Sequence, residues 1–377
     1  MPAFLKFKWQ KEYLKFTGKD KDKIKIIDSA KSFREFDPNK HHAAIVSYSM
    51  IGKYPALFKH CSALIADEVH YLCNMEAKRT LIFHHYVEKY TPEYLILLTG
   101  TPIKNRVKEF YSLLKLTDYG GNKDDLLKRF KTDIDFAEYF SIPTTKKFYV
   151  NKRLVSSTTY SGYRNLSELK EIMASRVIRR TEVEDLNIPA IQIRNIPCYK
   201  STSNTLALEY DKYKELVSKS ITSAKVDSAV RKTPITAKYI ENLLVSDEGP
   251  IVVFSDHTKP LDIIGEKLKK YRVARIDGKV SMKKRDEIED DFQEGLYDVL
   301  LLTIGAGCEG FTFTASNNMV LNDLSWSPSK NEQAIKRINR ISATKISNIH
   351  MMIGDHLDER MSESLEEKIN TINAVLA

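Results

Sequence analysis

Ser62-Ala63-Leu64-Ile65-Ala66-Asp67-Glu68-Val69-His70 is the stretch from which the fold of this chain can be read. Ala63 to Ala66 form a short apolar run with the length of a buried strand, and two adjacent carboxylates follow at its C-terminal end. In open α/β sheets, ligands bind at that end of the strands. Asp67 is therefore a candidate for holding Mg²⁺ in a nucleotide hydrolase, and Glu68 for orienting and polarising the attacking water. His70 closes the segment. The competing reading is a strand followed by an Asp-initiated helix cap.

Working outward, Leu95-Ile96-Leu97-Leu98-Thr99-Gly100-Thr101-Pro102 is a second apolar strand ending in a hydroxyl-rich turn. It begins about 30 residues after the acidic pair, which leaves room for one helical crossover between parallel strands. Thr99, Gly100 and Thr101 can sense Mg²⁺ and phosphate through hydroxyl and backbone groups. Far downstream, Asn331-Glu332-Gln333-Ala334-Ile335-Lys336-Arg337-Ile338-Asn339-Arg340 places Arg337 and Arg340 three residues apart. On a helix they would share one face and could clamp a phosphoryl group as charge develops on it. An exposed basic helix face is the plainer alternative.

The rest of the chain repeats the alternation of strand and helix that marks parallel sheets covered by crossover helices. Strands are expected at residues 43–48, 63–66 and 94–98 in the first half, with helices at 76–90 and 107–116. In the second half strands are expected at 251–254, 273–276, 299–303, 319–321 and 349–353, with helices at 261–271, 283–293, 330–339 and 358–376. The final helix has an apolar stripe, Leu365, Ile369, Ile372 and Val375, suited to packing on the second lobe. The expected class is α/β with two lobes: an incomplete first lobe over 1–119, a helical insertion and connector over 120–199, and a second lobe over 200–377.

Composition narrows the function. The 377 residues carry 59 Lys+Arg against 50 Asp+Glu, and 42% are hydrophobic, which excludes a disordered chain. No apolar run approaches the roughly 18 residues of a membrane span. The start, MPAFLKFKWQKEY, is too charged and aromatic for a signal peptide, so we expect no membrane association and a soluble, intracellular protein, of a nucleus or of a phage- or virus-infected cell. Cys61, Cys73, Cys198 and Cys308 form no C-x-x-C pair, so reduced core thiols are expected and no structural zinc. Residues 1–190 hold 33 basic and 23 acidic side chains and residues 191–377 hold 26 and 27, so the whole surplus of +9 lies in the first half. A phosphate-backbone track on one lobe would produce that asymmetry, and the stretch between the lobes carries basic clusters such as Lys146-Lys147 and Lys152-Arg153.

In this order the three elements resemble those of the Swi/Snf-type DNA-dependent ATPases of helicase superfamily 2. Pro2, Leu5, Trp9, Glu12 and Phe16 are similar to the family's motif Ia region, Asp67-Glu68-Val69-His70 to its DEAH-like motif II, and Leu98 to Pro102 with Asn105 to motif III. Val177 to Thr181 followed by Leu186 to Pro189 resembles its Arg-Arg-Thr and Leu-Pro segment. Ile251 to Ser255 resembles motif IV, and Arg275 to Gly278 with Arg285 and Phe292-Gln293 the block after it. Thr303 to Phe313 with Trp326 and Pro328 resembles motif V, and Gln333-Ala334 with Arg337 and Arg340 motif VI. The resemblance implies two RecA-like lobes that use ATP and Mg²⁺ and step along double-stranded DNA. It implies catalytic roles for Asp67, Glu68, Arg337 and Arg340, with Mg²⁺ on Asp67. It implies nucleotide-binding and coupling roles for His70, Thr99, Gly100, Thr101, Gly310 and Gln333. DNA contacts would fall to Thr303, and to Lys146 and Lys147 by their charge.

One motif is missing. A Walker A loop, G-x-x-x-x-G-K-[ST], cradles phosphates with backbone N–H groups and a lysine. Here Gly18-Lys19, Gly52-Lys53 and Gly278-Lys279 are followed by Asp20, Tyr54 and Val280, and none has the first glycine. The family places that loop before the motif Ia region, which here begins at residue 2. Two smaller departures are Cys308-Glu309, where the family has glycine and an apolar residue, and Ser342-Ala343, where it has Gly-Gln. The expectation is the C-terminal portion of a split or longer ATPase, completed by an N-terminal fragment that supplies Walker A. The alternative is an inactive DNA-binding or regulatory pseudo-ATPase.

Overall fold

The computed structural model describes residues 1–119, 128–150, 153–179, 188–198, 220–307 and 310–376. The chain divides into two compact units, Met1–Ile178 with Lys368–Ala377, and Arg179–Glu367.

The first unit holds three two-stranded sheets among its described residues. β1 (Ile24–Ile27) pairs parallel with β2 (Ala43–Val46), and β3 (Ala63–Asp67) parallel with β4 (Tyr94–Leu98). Helices Lys6–Thr17, Lys78–Tyr90 and Phe110–Asp118 accompany them. The helix Lys78–Tyr90 forms because Phe83, His84 and Val87 recur at helical spacing and face the core, and it stops at Thr91, whose φ of 39° is left-handed. The core gathers Val69, Leu72, Phe83, Val87, Phe110, Leu114 and Phe136. Beyond it, helices Asp133–Phe140 and Leu166–Ala174 flank an antiparallel hairpin of β5 (Ile142–Val150) and β6 (Arg153–Ser161).

The second unit is built on a six-stranded, wholly parallel sheet. Its strands are β7 (Ile191–Pro197), β8 (Ile251–Ser255), β9 (Val273–Ile276), β10 (Val299–Thr303), β11 (Asn318–Leu321) and β12 (Ser347–Ile353), in spatial order β7-β12-β11-β8-β10-β9. β8 and β10 are buried along their whole length, as continuous apolar runs in a parallel sheet should be. Helices Ile221–Val245, Thr258–Lys267, Met282–Gln293 and Pro328–Ile335 accompany the sheet. Its two faces carry separate clusters, one around Phe254, Phe292, Phe313 and Leu302, the other around Ile240, Val253, Leu261 and Leu301.

The two α/β units with helices beside parallel strands match the expected class, and three expectations need correcting. The stretch between the lobes is not simply helical: it carries the β5–β6 hairpin, and its strand β7 joins the second sheet. The hairpin strands are rich in hydroxyls and lysines, and β7 is Ile-Gln-Ile-Arg-Asn-Ile-Pro, so no continuous apolar run marks these segments. The apolar run around Ile65 and Ile96 is not fully buried: one face of the β3–β4 pair, with Ile65 (51%), Tyr94 (58%), Ile96 (46%) and Leu98 (39%), is open to solvent. The last helix, His356–Leu376, is not a second-lobe helix throughout. From Lys368 it groups with the first unit, where Ile372 and Val375 pack in the core. Cys73 is buried, Cys61 and Cys198 are half-buried, and all three are free thiols. Cys308, Glu309, Lys152, Lys200 and residues 180–187 of the Arg-Arg-Thr segment lie outside the described residues.

Candidate nucleotide-site residues in each unit

In the first unit, β3 and β4 run side by side with Asp67 opposite Leu98, so both C-terminal turns open at one end of the pair. Asp67 is held from three sides. The Trp9 indole Nε1 donates to Oδ2 at 2.7 Å, the Glu68 backbone N–H donates to Oδ1 at 2.9 Å, and the Tyr48 hydroxyl donates to the Asp67 carbonyl at 2.8 Å. Burial, with the charges of Asp67 and Glu68 nearby, pushes the Tyr48 phenol far up, so it stays a donor. Glu68 has a left-handed φ of 50°, uncommon for a residue with a Cβ, which turns its side chain out of line with the strand.

His70 links the two turns. Its ring is buried, its Nδ1 lies 3.0 Å from Glu68 Oε2, 3.1 Å from Thr99 Oγ1 and 3.3 Å from Thr101 Oγ1, and it stacks on Tyr71. The Thr101 N–H donates to Thr99 Oγ1 at 3.1 Å, and Glu109 accepts the N–H groups of Lys104 and Asn105, fixing the loop that continues from the turn. Asp67, Glu68, His70, Thr99 and Thr101 are thus gathered into one group, with Gly100 between the two threonines.

That group fits a magnesium–nucleotide site. Mg²⁺ is usually held by one or two carboxylates together with substrate phosphates and water. The described residues contain no cluster of three potential ligands, so a protein-only cage is not on offer. What they contain is Asp67, whose two oxygens each accept one N–H and keep acceptor capacity, and Glu68, whose Oε2 is enclosed without a partner in hydrogen-bonding geometry.

The second unit holds the other group. Thr303 ends β10 beside Ser255 at the end of β8. Ser255 Oγ donates to Asp323 Oδ1 at 2.5 Å and the Asp256 N–H donates to Asp323 Oδ2 at 3.0 Å, which pins the carboxyl ends of the central strands. Gly310 has φ of 84°, a conformation that favours glycine, at the entry to the loop Gly310–Phe313. The arginines meet on that loop. Arg337 Nη1 donates to the Phe311 carbonyl at 3.0 Å, and Arg340 Nη1 donates to the same carbonyl at 3.3 Å and to Thr312 Oγ1 at 2.9 Å.

The arginine pair does not share a helix face. The helix ends at Ile335, and the N–H groups of Arg337 and Ile338 bond three residues back, to Ala334 and Ile335. Arg337 Nε donates to the Gln333 carbonyl at 2.8 Å, the acceptor its own N–H would use in an α-helix, and the Arg337 carbonyl accepts from the Phe313 N–H. The two guanidinium groups converge through the loop. Gln333 is buried in the last turn before them. Lys146 and Lys147 are exposed on the β5–β6 hairpin of the first unit.

Two residues at the first group escaped the sequence reading. Trp9 was visible only as part of the motif Ia pattern, with nothing to show that its indole reaches Asp67. Tyr48 follows a strand with no signal at all.

A model of the SNF2-related domain matches residues 1–244, and one of the helicase conserved C-terminal domain matches residues 235–342. The chain belongs to the SNF2 family of superfamily 2 ATPases and helicases. Among its relatives are the human DNA annealing helicase and endonuclease ZRANB3, 26% identical over all of this chain and 36% of the relative. Another is the SWI/SNF-related matrix-associated actin-dependent regulator of chromatin subfamily A-like protein 1 of Xenopus laevis, 28% identical over 87% of this chain and 34% of the relative. The chain thus spans about a third of the length of these relatives. A solved structure, the Sulfolobus solfataricus SWI2/SNF2 ATPase core in complex with dsDNA, aligns over 100% of this chain and 82% of its own with a TM-score of 0.40 and 20% identity. No helix among the described residues is long and apolar enough to cross a membrane.

Proposed function

We propose that the chain is the motor portion of an SNF2-type, DNA-dependent ATPase that translocates on double-stranded DNA, and that hydrolysis requires a Walker A segment not contained in this sequence. The observation that carries the reading is the group at the ends of β3 and β4, where Asp67, Glu68, His70, Thr99 and Thr101 converge. Asp67 would hold Mg²⁺, which neutralises phosphate charge when ATP is bound. Glu68 would orient the attacking water, and His70, whose Nδ1 lies 3.0 Å from Glu68 Oε2, would pass the state of that site to Thr99 and Thr101. Arg337 and Arg340 would stabilise the phosphoryl group, with Gly310 and Gln333 at the nucleotide and Thr303 at the DNA backbone.

The open face of β3–β4 favours the requirement for a further segment. Side chains alternate along a strand, so Ala63, Ile65 and Asp67 share one face, and a segment covering that face would end beside the metal anchor. The second reading, a pseudo-ATPase that binds DNA without turnover, is favoured by the lack of any Gly-Lys-Ser/Thr turn in the sequence.

The test is complementation. Mixed with a fragment of a family relative that carries the Walker A loop, the chain should gain DNA-stimulated ATP hydrolysis, and Glu68→Gln should lower it by at least ~10³-fold while leaving DNA affinity unchanged. Complementation that fails with every relative tried, or turnover that survives Glu68→Gln, leaves the pseudo-ATPase reading.

A further inference from the structure

The β5–β6 hairpin is used by neither group of candidate nucleotide-site residues. Its nine register pairs run from Ile142↔Ser161 to Val150↔Arg153. A lone two-stranded hairpin is marginal in water, so this one needs a fixed base or a partner. The base is fixed: the Tyr160 hydroxyl donates to Glu138 Oε1 at 3.3 Å, the Arg164 N–H to the Phe140 carbonyl at 2.8 Å, and Asn165 Nδ2 to the Tyr139 carbonyl at 2.9 Å. Beyond the base, residues 142–147 and 154–159 are all exposed, so both faces of the ribbon point to solvent.

What those faces carry is selective. Residues 142–147 and 154–161 contain two basic residues, no acidic one, and seven serines and threonines. Thr144 and Lys146 lie on one face and Thr145 and Lys147 on the other, opposite Thr159, Ser157, Thr158 and Ser156. Lysines and hydroxyls without a carboxylate among them are the side chains that contact nucleic-acid phosphate. The shape selects further. The major groove of B-form DNA, about 12 Å wide, admits a two-stranded β-ribbon. The major groove of A-form RNA is too narrow and deep for side chains to read. Strands of nine residues extend about 30 Å at roughly 3.3 Å per residue, enough to cross that groove and meet phosphates on either side.

We propose that the β5–β6 hairpin, through its residues 142–147 and 154–161, is an arm that enters the major groove of B-form DNA and holds its phosphates through Lys146, Lys147 and the flanking hydroxyls. The proposal rests on the reading that the chain acts on duplex DNA. It gives the protein a grip that works without nucleotide.

Equilibrium binding of the full chain to a DNA duplex, without ATP and across a series of salt concentrations, tests it. The double variant Lys146→Ala/Lys147→Ala should flatten the dependence of log K on log salt by about 2, since each phosphate contact contributes about 0.9. A variant with Thr145–Thr158 replaced by Asn-Gly should lose at least as much. Methyl green, which occupies the major groove, should abolish the difference between wild type and variants, and netropsin, in the minor groove, should leave it. The same duplex in RNA should show no difference between them. Lys146→Ala/Lys147→Ala changes only exposed side chains, and matching thermal melts confirm the folds of both variants. Equal slopes for wild type and variants overturn the arm and leave the DNA-motor reading standing. A loss that is the same on RNA, or insensitive to methyl green, also overturns it. A wild-type chain that binds no duplex overturns both.

Discussion

Strands β3 and β4 of the first unit and β8 and β10 of the second are close in composition, Ala-Leu-Ile-Ala-Asp and Tyr-Leu-Ile-Leu-Leu against Ile-Val-Val-Phe-Ser and Val-Leu-Leu-Leu-Thr. Both pairs are parallel and in register. Yet every residue of β8 and β10 is buried, while β3 and β4 bury Leu64, Ala66, Leu95 and Leu97 against the core in part or whole and expose the alternate set. The residues do not make this difference. β8 has strands on both sides and clusters on both faces, whereas among the described residues β3 and β4 pair only with each other and have a core on one face. A strand's burial is decided by what covers it, and the uncovered face in the first unit is the one that leads to Asp67.

Truncation should expose this contrast most strongly. Phe254→Ala, in a strand covered on both faces, should cost about 3–5 kcal/mol in urea unfolding. Ile96→Ala, on the open face, should cost less than about 1 kcal/mol, because little apolar surface returns to water. Similar losses at the two sites would mean that the β3–β4 face is covered in solution.

Acid should act next, and on the first unit. His84 is buried with its Nε2 2.9 Å from Ser112 Oγ, and burial, with Lys115 nearby, pushes its imidazole down to about 4. Between that value and the ordinary 6.5, the unfolded chain takes up a proton that the folded chain refuses. Stability is therefore full above about pH 6.5 and falls by up to roughly 3 kcal/mol as pH drops through 4. In His84→Gln the slope of stability against pH over that window should shrink. An unchanged slope would show that other groups set the acid response.

The smallest effect concerns solubility. Ile96→Thr should change stability by no more than about 0.5 kcal/mol and should raise the concentration at which the chain begins to associate in light scattering. Unaltered association would remove the open face as its cause.

The contrast also explains what could be read in the sequence. β8, β10 and the Asp67-Glu68 pair were legible because continuous apolar runs and paired carboxylates are local signals. β7 was not: Ile191 and Ile193 alternate with Gln192 and Arg194 in a strand exposed along most of its length. The helix Ile221–Val245 was missed because its Ser, Thr and Lys residues and internal Pro234 blur the helical period. At the site, Asp67, Glu68, His70, Thr99 and Thr101 came from neighbouring strand ends that parallel pairing brings together. Trp9 reaches Asp67 across 58 residues of sequence, which no spacing rule foresees. The arginine pair was legible as a pair, but its geometry was not. Arg337 Nε donates to the Gln333 carbonyl, an interaction visible only in three dimensions.

In the proposed function the carboxylates of the first unit and the arginines of the second serve hydrolysis, and turnover requires a Walker A loop that this sequence does not contain. ATP hydrolysis by the chain alone, with duplex DNA in excess and Glu68→Gln as the background, measures it directly. The account predicts no DNA-stimulated rate above that background. A stimulated rate that disappears in Glu68→Gln would contradict it, because the chain would then be completing its own cradle.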